Sequence, residues 1–255
     1  MVSTLPRKIL LHAHIFKNAG TSVDNILRHN YQNQFIDHRD SDALAAGKQP
    51  FLEEFLRSHP HILAFASHHL PLPLQSTPEF EFYIIMMLRH PVIRASSAYR
   101  FERNQRVDNA SANAAKRYNF ADYVQWHLDL GSKMFFNYFI RYCTSTVTEA
   151  LTDQLCLEYA LAQSEHFSVL GVVEQFDRSM SALQRKLTRH HINLSLIPSK
   201  KNVTDQSTGT LEDKLKRIES ELGENLYEIL FDQNKQDLQF YEHAVQRLNC
   251  EENQE

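Results

Sequence analysis

The sequence predicts a three-layer α/β/α domain built on a central parallel sheet, from three observations. β-rich runs alternate with helical ones along the chain. One of those runs, Phe80–Leu88 (FEFYIIMML), is almost wholly apolar, as a central strand covered on both faces must be. A length of 255 residues, 42% of them hydrophobic and 23% charged, suffices for one large core and excludes a disordered or collagen-like chain.

The elements follow in order. Residues 8–15 (KILLHAHI) read as the first strand, bounded by Pro6 and by the polar loop 16–20. A helical pattern from Thr21 to about Tyr31 completes a strand–loop–helix unit. Residues 41–58 are helical in pattern, with Pro50 as a break. Residues 61–67 (HILAFAS) and Phe80–Leu88 are the next strands, and Pro91 suits the first turn of a helix reaching about Asn104. Helical patterns dominate 119–164, and residues 167–173 (FSVLGVV) form the last strand. An amphipathic helix follows through Phe176, Met180, Leu183 and Leu187. After a polar loop at 198–209, helices over 211–231 and 235–249 close the chain. With no repeat or linker to divide it, residues 1–255 read as one domain. Its ligand crevice belongs beyond the C-terminal ends of the strands.

Charge and cysteine usage narrow the function. Twenty-seven basic residues against 31 acidic give a net charge of −4, so no nucleic-acid or anionic-membrane partner is expected and any anion site must be local. No apolar run approaches the roughly 20 residues of a membrane-spanning helix, and the chain opens without the apolar stretch of a signal peptide. Cys143, Cys156 and Cys250 are odd in number and widely spaced, which fits reduced thiols in a cytoplasmic protein. His12 and His14 share a strand face without an evident third ligand, so a structural role is expected and no metal. His38-Arg39-Asp40 matches the kinase HRD triplet without its companion motifs and reads as chance. Phe135, Phe136, Phe139 and Tyr142 recur at helical spacing and read as core.

Two segments carry anion chemistry. In His14-Ile15-Phe16-Lys17-Asn18-Ala19-Gly20-Thr21-Ser22, a strand end feeds a small-residue loop and a helix N-terminus. Converging N–H groups, the Lys17 charge and the Thr21 and Ser22 hydroxyls make a phosphate or sulfate cradle. An ordinary capped β-to-α turn would look the same, and the ATPase GxxxxGK[ST] order is absent. In Leu88-Arg89-His90-Pro91-Val92-Ile93-Arg94-Ala95-Ser96-Ser97-Ala98-Tyr99, an Arg closes a buried strand and therefore needs an anionic partner. Ser97, two helical turns on, lets Arg89 and a hydroxyl hold one phosphate from two directions. The alternative partner for Arg89 is a carboxylate.

The pair HIFKNAGTS and LRHPVIRASSAY, about 70 residues apart, resembles the two phosphosulfate-binding signatures of the sulfotransferases. The branch it most resembles contains carbohydrate O-sulfotransferases related to the heparan-sulfate 2-O enzymes. The similarity extends to Leu170-Gly171-Val172-Val173-Glu174-Gln175-Phe176-Asp177, to NKQDLQFY at 234–241 and to the pair Asn137 and Arg141. The chain departs from the family pattern at Phe16 (usually Pro), Asn18 (usually Thr) and His90 (usually Asp or Asn).

The resemblance implies a fold like that of P-loop nucleoside-triphosphate hydrolases. It also implies transfer of a sulfuryl group from 3′-phosphoadenosine 5′-phosphosulfate (PAPS), leaving PAP, with no metal required. Lys17, Asn18, Ala19, Gly20, Thr21 and Ser22 would hold the 5′-phosphosulfate, and Arg89 with Ser97 the 3′-phosphate. The acceptor would be a small-molecule or glycan hydroxyl. In Phe65-Ala66-Ser67-His68-His69-Leu70-Pro71, the family's "GHxP" register places the acceptor-deprotonating histidine at His69. If both histidines lie on a strand they face opposite sides, and only one reaches the site. Lys17 would stabilise charge on the leaving oxygen, and Lys200 and Lys201 would form a basic lid. The remaining readings are an ATP-dependent phosphotransferase and an inactive nucleotide-binding module. Oligomeric state is silent in the sequence.

Overall fold

β1 (Arg7–Ala13) occupies the middle of a five-stranded, all-parallel sheet of order β2-β3-β1-β4-β5. It pairs with β3 (Ala64–Ser67) on one side and β4 (Phe80–Leu88) on the other; β2 (Phe35–His38) and β5 (Val169–Val172) are the edges. The computed structural model describes residues 5–197 and 209–252. Lys200 and Lys201 lie outside them.

Strand periodicity sorts the core into two layers. Ile9, Leu11, Ile84, Met86 and Leu88 face one side, against Leu44, Leu52 and Leu56 of α2 (Ser41–Ser58), Phe139 of α6 (Tyr138–Cys143) and Phe240 of α11 (Lys235–Glu252). Leu10, Tyr83, Ile85 and Met87 face the other, against α1 (Gly20–Tyr31) and α8 (Phe176–Arg189). The architecture is therefore α/β/α with a P-loop-like strand order. Ile85 is fully buried, and truncating such a side chain to alanine costs about 2–5 kcal/mol. A third apolar cluster joins α3 (Pro91–Asn104), α4 (Ala110–Arg117) and α5 (Phe120–Asp129) to the later helices α9 (Leu211–Leu222) and α10 (Glu224–Asp232). No helix among the described residues is long and apolar enough to cross a membrane.

Several expectations need correcting. The second predicted strand starts at Ala64 and ends at Ser67, so the turn after it, and not a strand, carries His68 and His69. β2 and α4 were not anticipated: four half-buried residues carry too little alternation, and eight residues span only about two helical turns. The 119–164 region resolves into α5, α6 and α7 (Asp153–Ser164). Gly223 (φ 76°) divides the expected 211–231 helix into α9 and α10. α2 kinks at Lys48 (φ 51°), two residues ahead of Pro50, which then sits near the start of the second half.

Candidate active site

β1 ends just before His14, and the chain then turns through two left-handed residues, Lys17 (φ 66°) and Ala19 (φ 58°), into α1. Successive residues of this kind fold the backbone into a concave row of N–H groups. α1 begins without a capping side chain, leaving its positive end toward the loop. Gly20 has a steric reason: a Cβ there would lie 2.1 Å from the His14 ring.

A cavity of about 220 Å³ opens over this loop, lined by Lys17, Ala19, Gly20 and Thr21 from the first motif and by Arg89 and Ser97 from the second. His14, Phe16, Arg39, His68 and Phe101 complete it. The two motifs thus converge, because β1 and β4 are parallel neighbours whose C-terminal ends lie at the same edge of the sheet. Asn18 and Ser22 do not line the cavity. Asn18 is buried at 1% exposure beneath the loop, with neither amide atom bonded among the described residues.

The cations are held by their surroundings. Lys17 Nζ lies 4.3 Å from the Phe101 ring centre; burial lowers its proton affinity, Arg89 adds to this and Glu102 opposes it. Behind Arg89, Glu174 accepts the His90 backbone N–H at 3.2 Å and the Tyr241 hydroxyl at 3.1 Å. Burial raises the Glu174 carboxyl while Arg89 draws it back toward the charged form. Glu174, from the Leu170–Asp177 segment, is therefore a counter-charge for Arg89. Arg39 stands at the rim, paired with Asp37 (Nε to Oδ2, 2.9 Å). Recognising β2 would have placed that arginine at a strand's C-terminal end.

Beside the loop lies a buried histidine cluster. Nδ1 of His12 is 2.7 Å from Asp24 Oδ1, and Nδ1 of His14 is 2.8 Å from Asp24 Oδ2. Asp24 is the third group that the strand alone did not reveal; it comes from the second turn of α1. Burial alone would raise its carboxyl, yet the two imidazoles hold it below the usual carboxylate range. The His14 ring in turn packs at 4.1 Å, centre to centre, on that of His68. Burial, with His14 and Arg39 adding to it, pushes the His68 imidazole down to about 4.

His68 borders three cavities. Besides the loop cavity it lines an adjoining space of about 280 Å³ with Phe16, Arg39 and Tyr138, and a larger chamber of about 560 Å³. His69, the expected base, is exposed and lines only the latter two; its N–H donates to Ser67 Oγ at 3.1 Å, which shapes the turn. Of the two adjacent histidines, His68 is therefore the one that borders the loop cavity.

One wall of the chamber is built around Arg94 and Asn137. Arg94, at 1% exposure, donates to the carbonyls of Met134 (3.3 Å) and Phe135 (2.9 Å) and lies against the Tyr138 and Phe139 rings. Asn137, left-handed at φ 48°, donates its N–H to Asn234 Oδ1 (3.2 Å), and its Oδ1 accepts the Asp237 N–H (3.2 Å). Asp237 caps α6 by accepting the N–H groups of Phe139 and Ile140 at 2.9 and 3.0 Å. Arg141 pairs with Asp153.

A protein of Archaeoglobus fulgidus described as uncharacterized is 28% identical over 251 residues, covering 94% of this chain and 96% of its own. The sequence model of the sulfotransferase family matches residues 2–244, a span that contains the loop cavity, its two motifs and the chamber wall. With that match over nearly its whole length, the chain belongs to the sulfotransferase family.

Proposed function

We propose that this transferase moves a sulfuryl group from PAPS to a hydroxyl, on a carbohydrate-bearing acceptor. The observation that carries this reading is the convergence of Lys17, Thr21, Arg89 and Ser97 in one cavity that His68 also borders. Two cations, two hydroxyls and an uncapped helix start fit a ligand with anionic groups at both ends. PAPS, when bound, supplies the sulfuryl group and a phosphate leaving group.

The chain's own residues then have distinct tasks. Arg89, backed by Glu174, and Ser97 fix the 3′-phosphate and with it the donor's register. His68 takes the proton of the acceptor hydroxyl while that oxygen forms its bond to sulfur. The bond from sulfur to the 5′-phosphate oxygen breaks, its electron pair staying on the phosphate. Lys17 and the loop N–H groups stabilise the charge that develops there. Such chemistry is positioning plus electrostatics. His69, one residue away and facing only the acceptor side, is the alternative base.

Calorimetry with PAP and with ATP–Mg²⁺, followed by mass spectrometry for an added SO₃ on the acceptor, tests the reading. PAP binding in preference to ATP and a sulfated product are expected. ATP–Mg²⁺ binding in preference to PAP would make the protein a phosphotransferase, and binding of neither would make it an interaction module.

A further inference from the structure

Resting on the sulfuryl-transfer reading, we propose that the acceptor is an uncharged alcohol with an apolar body, seated in the 560 Å³ chamber, and not a polyanionic polysaccharide. The chamber joins the anion loop through His68 and the intermediate space, which shares His69, Met134 and Tyr138 with it. A hydroxyl at the His68 end therefore has the rest of its molecule in the chamber. The volume suits a single guest of disaccharide or drug size.

The walls set the guest's chemistry. Leu70, Pro71, Met134, Tyr138, Tyr142 and Leu151 line the chamber, and Met134 stands 60% exposed at the opening shared with the intermediate space. Several polar groups on these walls already bond within the protein. Thr144 donates to the Ile140 carbonyl at 3.0 Å and Thr146 to the Leu72 carbonyl at 2.9 Å. The Tyr142 hydroxyl accepts from Leu70 N–H at 3.0 Å and donates to the Ser67 carbonyl at 3.3 Å. Walls of this kind reward apolar contact and offer few new hydrogen bonds.

The charges of the described residues argue against a polyanion. Arg141 is engaged by Asp153 and Arg39 by Asp37. Among the described residues lining the chamber, Lys133 is the cation with no carboxylate partner, and Glu149 lines the same chamber. A sulfated or uronate-rich chain needs a row of cations to replace its counterions, and among the described residues this route to His68 shows no such row.

The test uses two acceptors, octyl β-D-glucoside below its micelle concentration and N-acetylheparosan, a uronate polysaccharide. Transfer of SO₃ from PAPS to the glucoside, faster than to the polysaccharide, is expected. Ala150→Trp, at an exposed position on the chamber rim, should raise the KM for the glucoside by about 10-fold or more and leave PAP affinity within about 2-fold. Calorimetry of the glucoside on the wild-type protein, with and without PAP, separates the two proposals. Failure of PAP to bind overturns the sulfuryl-transfer reading, while glucoside binding that Ala150→Trp removes still supports the apolar guest. Faster transfer to the polysaccharide, no glucoside binding, or binding indifferent to Ala150→Trp overturns the inference.

Discussion

The imidazoles of His14 and His68 face each other at 4.1 Å, so the ring that braces the anion loop also braces the proposed base. His14 is itself steered by Asp24 at 2.8 Å. His68→Ala should lower turnover by about 10²–10⁴ and leave PAP affinity nearly unchanged, whereas His69→Ala should lose far less. With the His68 imidazole at about 4, the acid limb of kcat/KM for PAPS should lie well below the ordinary imidazole value of about 6.5. The limb should vanish in His68→Ala. Asp24→Asn, which weakens the hold on His14, should move the limb while keeping the fold. A limb near 6.5 that survives His68→Ala and disappears in His69→Ala would transfer the role to His69.

Arg89 lines the anion cavity with Glu174 behind it. Arg89→Ala removes a charge-assisted contact of about 1.5–3 kcal/mol, or about 10- to 150-fold in PAP affinity. Adenosine 5′-phosphate, lacking the 3′-phosphate, should be nearly indifferent to the change. Equal weakening for both ligands in calorimetry would remove the 3′-phosphate assignment.

Lys17 sits half-buried against Phe101, its charge weakened by burial and by Arg89. A group aimed at the leaving oxygen matters most when charge develops there. Lys17→Ala should therefore depress kcat more steeply than it weakens PAPS binding. A variant that lost affinity alone would make Lys17 an anchor.

His127 makes a prediction about stability. Its ring stacks on Phe135 at 4.1 Å, both ring nitrogens lack a partner among the described residues, and burial pushes its imidazole down to about 4. Between about pH 6.5 and 4 the unfolded chain holds a proton here that the folded protein does not. Stability therefore falls on acidification, by up to about 1.4 kcal/mol per pH unit from this group. His127→Phe should raise the denaturant midpoint at pH 7, since it ends an unpaired burial costing about 1–3 kcal/mol, and should flatten the decline toward pH 4. An unchanged slope would place the acid sensitivity elsewhere, His90 being the next buried imidazole pushed down to about 4.

The two motifs that meet in the cavity were legible because each is local: a strand end, a short loop and a helix start within about a dozen residues. The layered fold was legible for the same reason, through the apolar run of β4 and the strand–helix alternation. What escaped depended on distance or on an exact strand end. Arg39 reached the cavity only through β2, an edge strand too short to carry a pattern. Asp24 met His12 and His14 only once α1 lay beside β1. Whether His68 or His69 faces the loop turned on β3 ending at Ser67. The chamber wall joins Asn137 to Asn234 and Asp237, a pairing that no local signal announces.

That last pairing orders the protein's assembly on the ribosome. β1, α1, β3, β4 and α3 all lie before residue 105, so the strands and loop of the cavity can come together before the later helices are made. The chamber wall waits for partners 97 to 100 residues downstream, at the start of α11. Such distant closures form late and slowly. A nascent chain stopped before α11 would therefore hold the loop cavity formed with the chamber wall still open.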